Sequence, residues 1–296
     1  MTAPHRPFGT LLTAMVTPFR TDGSLDLDGT ASLAEHLVNN GSDGLVVNGT
    51  TGESPTTTDE EKERIVRAVV EAVGGRAHVV AGVGTNDTAH TVELARQAEK
   101  AGAHGLLVVT PYYSKPPQAG LLAHFETVAD ATGLPNMLYD IPGRSGVPIR
   151  TETLCRLAAH DRIVAVKDAK DDLDASSDVI ARTDLAYYSG TDVLNLPLLS
   201  IGGAGFVSVV SHLVGLRLKE LAAAFDRGDN AEALRLHQSL LPVYTGFFRT
   251  QGVITVKAAL NLTGLPAGPT RPPLADATDE EIETLRRDLA NADVTI

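Results

Sequence analysis

Hydrophobic residues are grouped into short runs that recur at regular intervals over the first two thirds of the chain. Val, Ile and Leu dominate these runs, and most of them contain no alternating polar residues. A continuous apolar run of this length is typical of a strand that is buried on both faces, as in a parallel sheet. The runs are TLLTAMVTP, GLVVNGT, HVVAGVG, GLLVVTP, NMLYDIP, IVAVKDA, LAYYSGT and GFVSVV.

Segments with helical periodicity separate the apolar runs. In residues 59–73 apolar residues recur every three to four positions, and Thr58 followed by Glu61 predicts a capping box at the helix start. Strand and helix alternate through about eight units in roughly 210 residues, which predicts an α/β fold with a closed (β/α)8 barrel, a TIM barrel. The same helical pattern occurs in residues 88–101, 118–131 and 151–159.

The last part of the chain is predicted to be helical. The segment LKELAAAFDRG fits the eighth barrel helix, and the helical segments after it have no strands between them. We therefore expect a catalytic barrel over residues 1–228 and a C-terminal helical extension over residues 229–296.

In a barrel of this type, the C-terminal ends of the strands carry the site. Polar side chains gather at these ends and combine one amine, several hydroxyls and little negative charge. They are Thr50, Thr51, Thr85, Asn86, Tyr112, Tyr113, Tyr139, Asp140, Lys167, Asp168, Ser189 and Gly190.

Lys167 closes a predicted strand, and alternation places it on the same face as Ile163 and Ala165, pointing into the barrel mouth. Partial desolvation lowers the pKa of a lysine, and the neutral amine can form a Schiff base with a carbonyl compound. The alternative is a lysine that extends to solvent or pairs with Asp168.

Three further features near the strand ends could act with Lys167. Tyr139 could transfer protons or could only fill the barrel mouth. The loop GTTGESP at 49–55 could hold a carboxylate or could be a tight turn alone. Arg144 could bind a second carboxylate through two hydrogen bonds or could be solvated.

Composition and charge exclude several classes of function. A net charge of −12 argues against nucleic acid as a partner. The single cysteine, Cys155, excludes an internal disulfide and fits a reducing compartment. The N-terminus lacks a signal-peptide pattern, and residues 196–210 are too short and too interrupted to span a membrane. We therefore expect a cytosolic protein. The histidines are scattered, so we expect no catalytic metal.

Five motifs in this order resemble the dihydrodipicolinate synthase / N-acetylneuraminate lyase family of class I aldolases. The resemblance covers essentially the whole chain, including the helical C-terminal part. The motifs are GTTGES at 49–54, TPYYSKP at 110–116, YDIPGRSG at 139–146, VAVKDA at 164–169 and YYSGTD at 187–192.

The resemblance implies a role for each matching residue. Lys167 would form the Schiff base with pyruvate, so no separate cofactor is expected. Tyr139 would transfer protons beside it. Thr50 would link Tyr139 to Tyr113, which reaches a neighbouring subunit's site. The remaining matches are Thr51 at the pyruvate carboxylate, the backbones of Gly190 and Val207 in the pyruvate pocket, and Tyr112 at the subunit interface.

Arg144 favours the synthase branch of the family, in which the matching arginine binds the carboxylate of L-aspartate-4-semialdehyde. The reaction implied is condensation of this aldehyde with pyruvate in the diaminopimelate and lysine pathway. Two alternatives stay open. One is another pyruvate-dependent aldolase that acts on a sugar acid or sialic acid, and the other is a non-catalytic protein that binds a keto acid as a sensor. Thr50 and Tyr113 also fit the synthases.

The resemblance further implies a homotetramer built as a dimer of dimers. Members that lysine inhibits carry histidine or a similar group near the positions of Lys62 and Asp59, and glutamate at that of His90. The cation of Lys62 would repel the ammonium of lysine. We therefore expect weak feedback inhibition or none.

Overall fold

The computed structural model describes residues 5–296 and contains a closed barrel of parallel strands. Each strand pairs with its successor in the chain, and β8 pairs with β1. The predicted (β/α)8 barrel is therefore confirmed, with one strand in each of the apolar runs. The strands are β1 Leu11–Ala14, β2 Gly44–Val47, β3 His78–Gly82, β4 Gly105–Val109, β5 Asn136–Asp140, β6 Ile163–Asp168, β7 Ala186–Ser189 and β8 Gly205–Ser208.

Helices cover the outside of the barrel and form most of the C-terminal extension. Single 3₁₀ turns occur at Ser54–Thr56 and Asp192–Leu194. The helices are α1 Leu27–Asn39, α2 Asp59–Val73, α3 Thr88–Lys100, α4 Gln118–Asp130, α5 Pro142–Ser145, α6 Thr151–Leu157, α7 Leu173–Arg182, α8 Asn195–Ser200, α9 Ser211–Asp226, α10 Asn230–Phe247, α11 Gly252–Leu262 and α12 Asp279–Ala290.

Local sequence signals account for the start of α2 and for the face that it buries. The Thr58 hydroxyl accepts a hydrogen bond from the backbone N–H of Glu61, and the Glu61 carboxylate accepts one from the N–H of Thr58. This reciprocal pair is the predicted capping box. Ile65 and Val69 lie on the buried face, and the helix packs against β3.

A continuous hydrophobic core runs from the barrel into the C-terminal extension. Leu11 of β1 and Leu240 of α10 belong to the same cluster of buried side chains. Helix α9 packs on β1, and α10 packs on both α9 and α12. The helical extension is thus present, whereas its boundary at residues 228 and 229 stays a prediction. Within residues 5–296, every helix is too short or too polar to cross a bilayer.

Candidate active site

A cavity of about 480 Å³ opens at the C-terminal ends of the strands. It contains the side chain of Lys167 at its base, and residues of α10 and α11 close its outer side. Six of the predicted site residues line this cavity together. They are Thr50, Thr51, Tyr139, Arg144, Lys167 and Gly190.

Strand alternation explains why Lys167 points into the cavity. Asp168, the next residue of β6, is hydrogen-bonded to the Ser176 hydroxyl of α7, outside the barrel. Because neighbouring residues of a strand point to opposite faces, Lys167 points inward. Lys167 is only 5% exposed, so it does not extend to solvent. Because Asp168 points to the opposite face and bonds Ser176, the two side chains do not pair, which removes the second alternative that the sequence left open.

Burial changes the acid–base behaviour of Lys167. Desolvation disfavours the ammonium form and lowers the pKa of this amine to about 8. The nearby Asp192 carboxylate acts in the opposite direction, and the charge of Arg144 lowers the pKa slightly further. A larger fraction of this amine than of an ordinary lysine is therefore neutral near neutral pH, as a nucleophile requires.

Tyr139 lies beside Lys167 because the two residues are register partners on β5 and β6. The Lys167 Nζ atom is 4.2 Å from the centroid of the Tyr139 ring. Burial raises the pKa of the Tyr139 phenol to about 12, although the charge of Arg144 and the hydroxyl of Thr50 oppose the shift. The phenol therefore keeps its proton at neutral pH and can donate it to a reacting oxygen.

Thr50 and Thr51 belong to the loop between β2 and the 3₁₀ turn at Ser54–Thr56, and both line the cavity. The loop is closed by hydrogen bonds from the N–H of Glu53 to the Thr50 carbonyl and from the N–H of Ser54 to the Gly49 carbonyl. It is thus both a tight turn and a set of polar groups that face the amine.

Gly190 follows β7 at a point where a side chain would have little room. A Cβ atom on this residue would lie 3.0 Å from the Asp168 carbonyl oxygen and 3.1 Å from Cε of Lys167. Glycine therefore lets the backbone approach the lysine closely. Val207 is buried in β8 and does not line the cavity, whereas Val209 does. The roles expected for Gly190 and Val207 at pyruvate stay predictions.

Arg144 projects from the short helix α5 at the rim of the cavity. One terminal nitrogen of its guanidinium donates a hydrogen bond of 2.8 Å to the side-chain oxygen of Gln251. Gln251 precedes α11, so the extension orients this arginine. The remaining N–H groups are available to a carboxylate, which a guanidinium can bind through two parallel hydrogen bonds.

Tyr112 and Tyr113 lie outside the first cavity. They line an adjoining cavity of about 630 Å³, which shares Thr50, Tyr139 and Arg144 with the first. Tyr113 is 89% exposed and adopts a φ of +73°, a conformation uncommon for a residue other than glycine. An aromatic side chain presented in this way is available to a neighbouring subunit.

Sequence reasoning assigned no role to Asp192, which lines the cavity close to Lys167. It is 3% exposed and accepts hydrogen bonds from the Ser208 hydroxyl at 2.5 Å and from the N–H of Val209 at 3.0 Å. Desolvation nevertheless raises its pKa. Its position two residues after Gly190 in YYSGTD was the available signal. No sequence signal pointed to Gln251, because it lies in the extension, far along the chain from Arg144.

The chain is similar to known proteins over nearly its whole length. A sequence model described as the dihydrodipicolinate synthetase family matches residues 7–292. The chain belongs to this family. The match covers the barrel and the extension alike, so the family resemblance expected from five motifs is confirmed over nearly the whole length.

Curated family members with high identity include two from bacteria. A protein of Acidothermus cellulolyticus named 4-hydroxy-tetrahydrodipicolinate synthase is 70% identical over 289 residues, which is 98% of this chain and 94% of that protein. One of Streptomyces coelicolor named 4-hydroxy-tetrahydrodipicolinate synthase 2 is 66% identical over 293 residues, 99% of this chain and 98% of the relative.

Solved structures of family members share the fold. A dihydrodipicolinate synthase from Bacillus anthracis matches with a TM-score of 0.93 and 44% identity, covering 96% of this chain and 98% of that one. The enzyme from Cyanidioschyzon merolae, solved with lysine bound, matches with a TM-score of 0.96 and 43% identity over 98% of this chain and 99% of the other.

Proposed function

We propose that the protein is a 4-hydroxy-tetrahydrodipicolinate synthase, which condenses pyruvate with L-aspartate-4-semialdehyde. The observation that carries the proposal is the buried amine of Lys167, with its pKa lowered to about 8, beside the phenol of Tyr139. The names of relatives at 66–70% identity support the same reaction. Arg144 at the rim fits an aldehyde that carries a carboxylate, as this substrate does.

The first half of the reaction forms an imine. The neutral amine of Lys167 attacks the keto carbon of pyruvate, and the resulting hydroxyl leaves as water after Tyr139 has supplied a proton. Thr51 and the backbone around it hold the carboxylate of pyruvate. The phenolate of Tyr139 then takes a proton from the methyl group, and the iminium accepts the electron pair, which gives an enamine. No external cofactor is needed, since the imine itself serves as the electron sink.

The second half joins the two substrates. The enamine carbon attacks the aldehyde carbon of the second substrate, whose carboxylate is bound by Arg144. The amino group of that substrate then attacks the imine carbon, the ring closes, and Lys167 is released as a free amine. Holding both substrates in one cavity converts a bimolecular encounter into a local one.

Proton transfer in this scheme uses Tyr139, Thr50 and Tyr113. The exposed Tyr113 would act in the site of a neighbouring subunit, so we infer that the active form is at least a dimer. The homotetramer expected from the family is a finer prediction, and one structural neighbour is described as a monomeric variant. The cytoplasmic location expected from the sequence also stays a prediction.

Feedback inhibition by lysine is expected to be weak, although the Cyanidioschyzon merolae relative was solved with lysine bound. Lys62, Asp59 and His90 line the second cavity. Lys62 Nζ donates a hydrogen bond to the Thr57 carbonyl and lies 3.7 Å from Asp59. The Asp59 carboxylate is also 2.8 Å from Nε2 of His90, so it compensates the charge of Lys62 only in part. The remaining positive charge opposes an ammonium ligand.

Borohydride reduction in the presence of pyruvate tests the proposed function. Lys167 should gain the mass of reduced pyruvate, and a Lys167→Ala variant should gain none. Turnover should then be found with aspartate semialdehyde and not with N-acetylneuraminate or 2-keto-3-deoxygluconate. An adduct with turnover only on a sugar acid would assign the protein to another aldolase of the family. An intact adduct without any turnover would point to a keto-acid sensor.

A further inference from the structure

A buried ion pair joins the loop of Thr50 and Thr51 to the C-terminal extension. The Glu53 Oε1 atom lies 2.6 Å from Nζ of Lys257, and the side chains are 0% and 2% exposed. Lys257 belongs to α11. Neither side chain lines the catalytic cavity, so the proposed reaction uses neither charge directly.

The connection between α11 and α12 encloses this pair. Glu53 Oε2 accepts a hydrogen bond of 2.8 Å from the N–H of Arg271, and Lys257 Nζ donates one of 2.8 Å to the Pro269 carbonyl. The same Nζ atom lies 4.3 Å from the ring centroid of Phe19. Because two charges are costly to desolvate, a buried pair is weak evidence for stability and calls for another explanation of its placement.

Arg271 adds a second anchor just beyond the pair. Its guanidinium binds the Glu61 carboxylate with two hydrogen bonds of 2.7 and 2.6 Å, and it donates a third to the Thr56 carbonyl. The connection between α11 and α12 is therefore hydrogen-bonded to Glu53, to the 3₁₀ turn and to the first turn of α2.

The loop that contains Thr50 and Thr51 has a backbone conformation that contacts with other segments must stabilise. Asn48 and Glu53 adopt φ values of +56° and +57°, in the left-handed region that residues other than glycine seldom occupy. Such conformations persist where the surrounding structure holds them. Thr50 and Thr51 lie between these two residues, so any relaxation of the loop would move the groups that face Lys167.

We propose that the Glu53–Lys257 pair is a positioning device for the carboxylate of pyruvate. By holding the loop in its left-handed conformation, the pair keeps Thr51 and the adjacent backbone aimed at the substrate. The proposal rests on the proposed function, because the role of Thr51 at pyruvate belongs to that scheme. Lys257 of the helical extension would thus influence pyruvate binding although its side chain does not line the cavity.

The test compares pyruvate with methyl pyruvate, an ester that lacks the negative carboxylate. The rate of imine formation is measured by borohydride trapping over a range of concentrations, for the unaltered protein and for Lys257→Met and Glu53→Gln. We expect the half-saturating concentration of pyruvate to rise about tenfold, equivalent to about 1.4 kcal/mol. That of methyl pyruvate should change little, since no carboxylate is there to be positioned.

Two further variants separate positioning from stability. In Glu53→Gln/Lys257→Met no lone buried charge remains, so the Tm should recover relative to the single variants while the pyruvate defect persists. The matched control is Lys219→Met, which breaks the 2.7 Å ion pair with Asp43 near the N-terminal ends of β1 and β2. It should leave the pyruvate dependence unchanged.

Two results would overturn the proposal. One is an equal rise in the half-saturating concentrations of pyruvate and methyl pyruvate in the single variants. The other is a double variant in which both the Tm and the half-saturating concentration of pyruvate return to the values of the unaltered protein. Either result would make the pair structural only. If the unaltered protein forms no pyruvate adduct on Lys167, the proposed function itself fails and the positioning role falls with it. The two kinds of failure are therefore distinguishable.

Discussion

The lowered pKa of Lys167 makes a quantitative prediction about imine formation. An ordinary lysine with a pKa of 10.5 would be neutral in only about 0.03% of molecules at pH 7. With a pKa of about 8, the neutral fraction is about 9% at the same pH. Burial alone therefore increases the concentration of the nucleophile by about 300-fold, relative to a solvent-exposed lysine.

The direction of the pH dependence follows from this shift. Below the folded-state pKa of about 8, the rate of imine formation should rise about tenfold per pH unit, and above it the rate should level off. The same shift affects stability, because the folded protein must carry a desolvated ammonium at low pH. This penalty, on the order of 3 kcal/mol, is fully present below pH 8 and disappears as pH rises from 8 to about 10.5.

The assay is rapid quenching with borohydride after mixing with pyruvate, from pH 6 to pH 10, followed by mass spectrometry of the intact protein and its peptides. Lys257 provides an internal control, since it is also buried and has a lowered pKa, yet lies outside the cavity. Label should appear on Lys167 alone. A rate that keeps climbing through pH 10 without a plateau would show an ordinary amine and would refute the reasoning.

Three other changes test the site. Tyr139→Phe removes the proton donor and should lower kcat by about 10²–10⁴-fold, measured in a coupled assay, while pyruvate still binds. Arg144→Met should raise the KM for aspartate semialdehyde at least about tenfold and leave borohydride trapping of pyruvate nearly unchanged; equal loss in both assays would contradict its role. Tyr113→Phe should lower kcat and leave the Tm nearly unchanged, because it removes only the hydroxyl and keeps the ring. L-Lysine should not inhibit at sub-millimolar concentration, and Lys62→His should increase its effect if the charge is responsible.

The barrel could be predicted because its strands are buried on both faces. A strand buried on both faces is a continuous apolar run in the sequence, and this run can be recognised without knowing which strand it pairs with. The start of helix α2 could be predicted equally well, since the capping box of Thr58 and Glu61 lies within one helical turn. The short helices α5 and α8 were not predicted, because PGRS and NLPLLS contain proline and lack room for a repeating apolar face.

The candidate site was predictable to the extent that one fold rule determines where its residues meet. Strand ends converge at one rim of a barrel, so Lys167 and Tyr139 could be placed together before any contact was known. No such rule covers the extension. Lys257 resembled any other helical lysine, which is ordinarily solvated, and its burial depends on how the connection after α11 folds back over Phe19.

The same difference explains why the extension has more influence on the site than its sequence indicates. A strand-end residue faces the substrate because of its own position in the strand, whereas Gln251 and Lys257 act through residues that are distant in the chain. Gln251 orients the guanidinium of Arg144, and Lys257 holds the loop of Thr51. In the proposed scheme, substrate recognition therefore depends on contacts between barrel and extension, while the lowered pKa of the amine arises within the barrel itself.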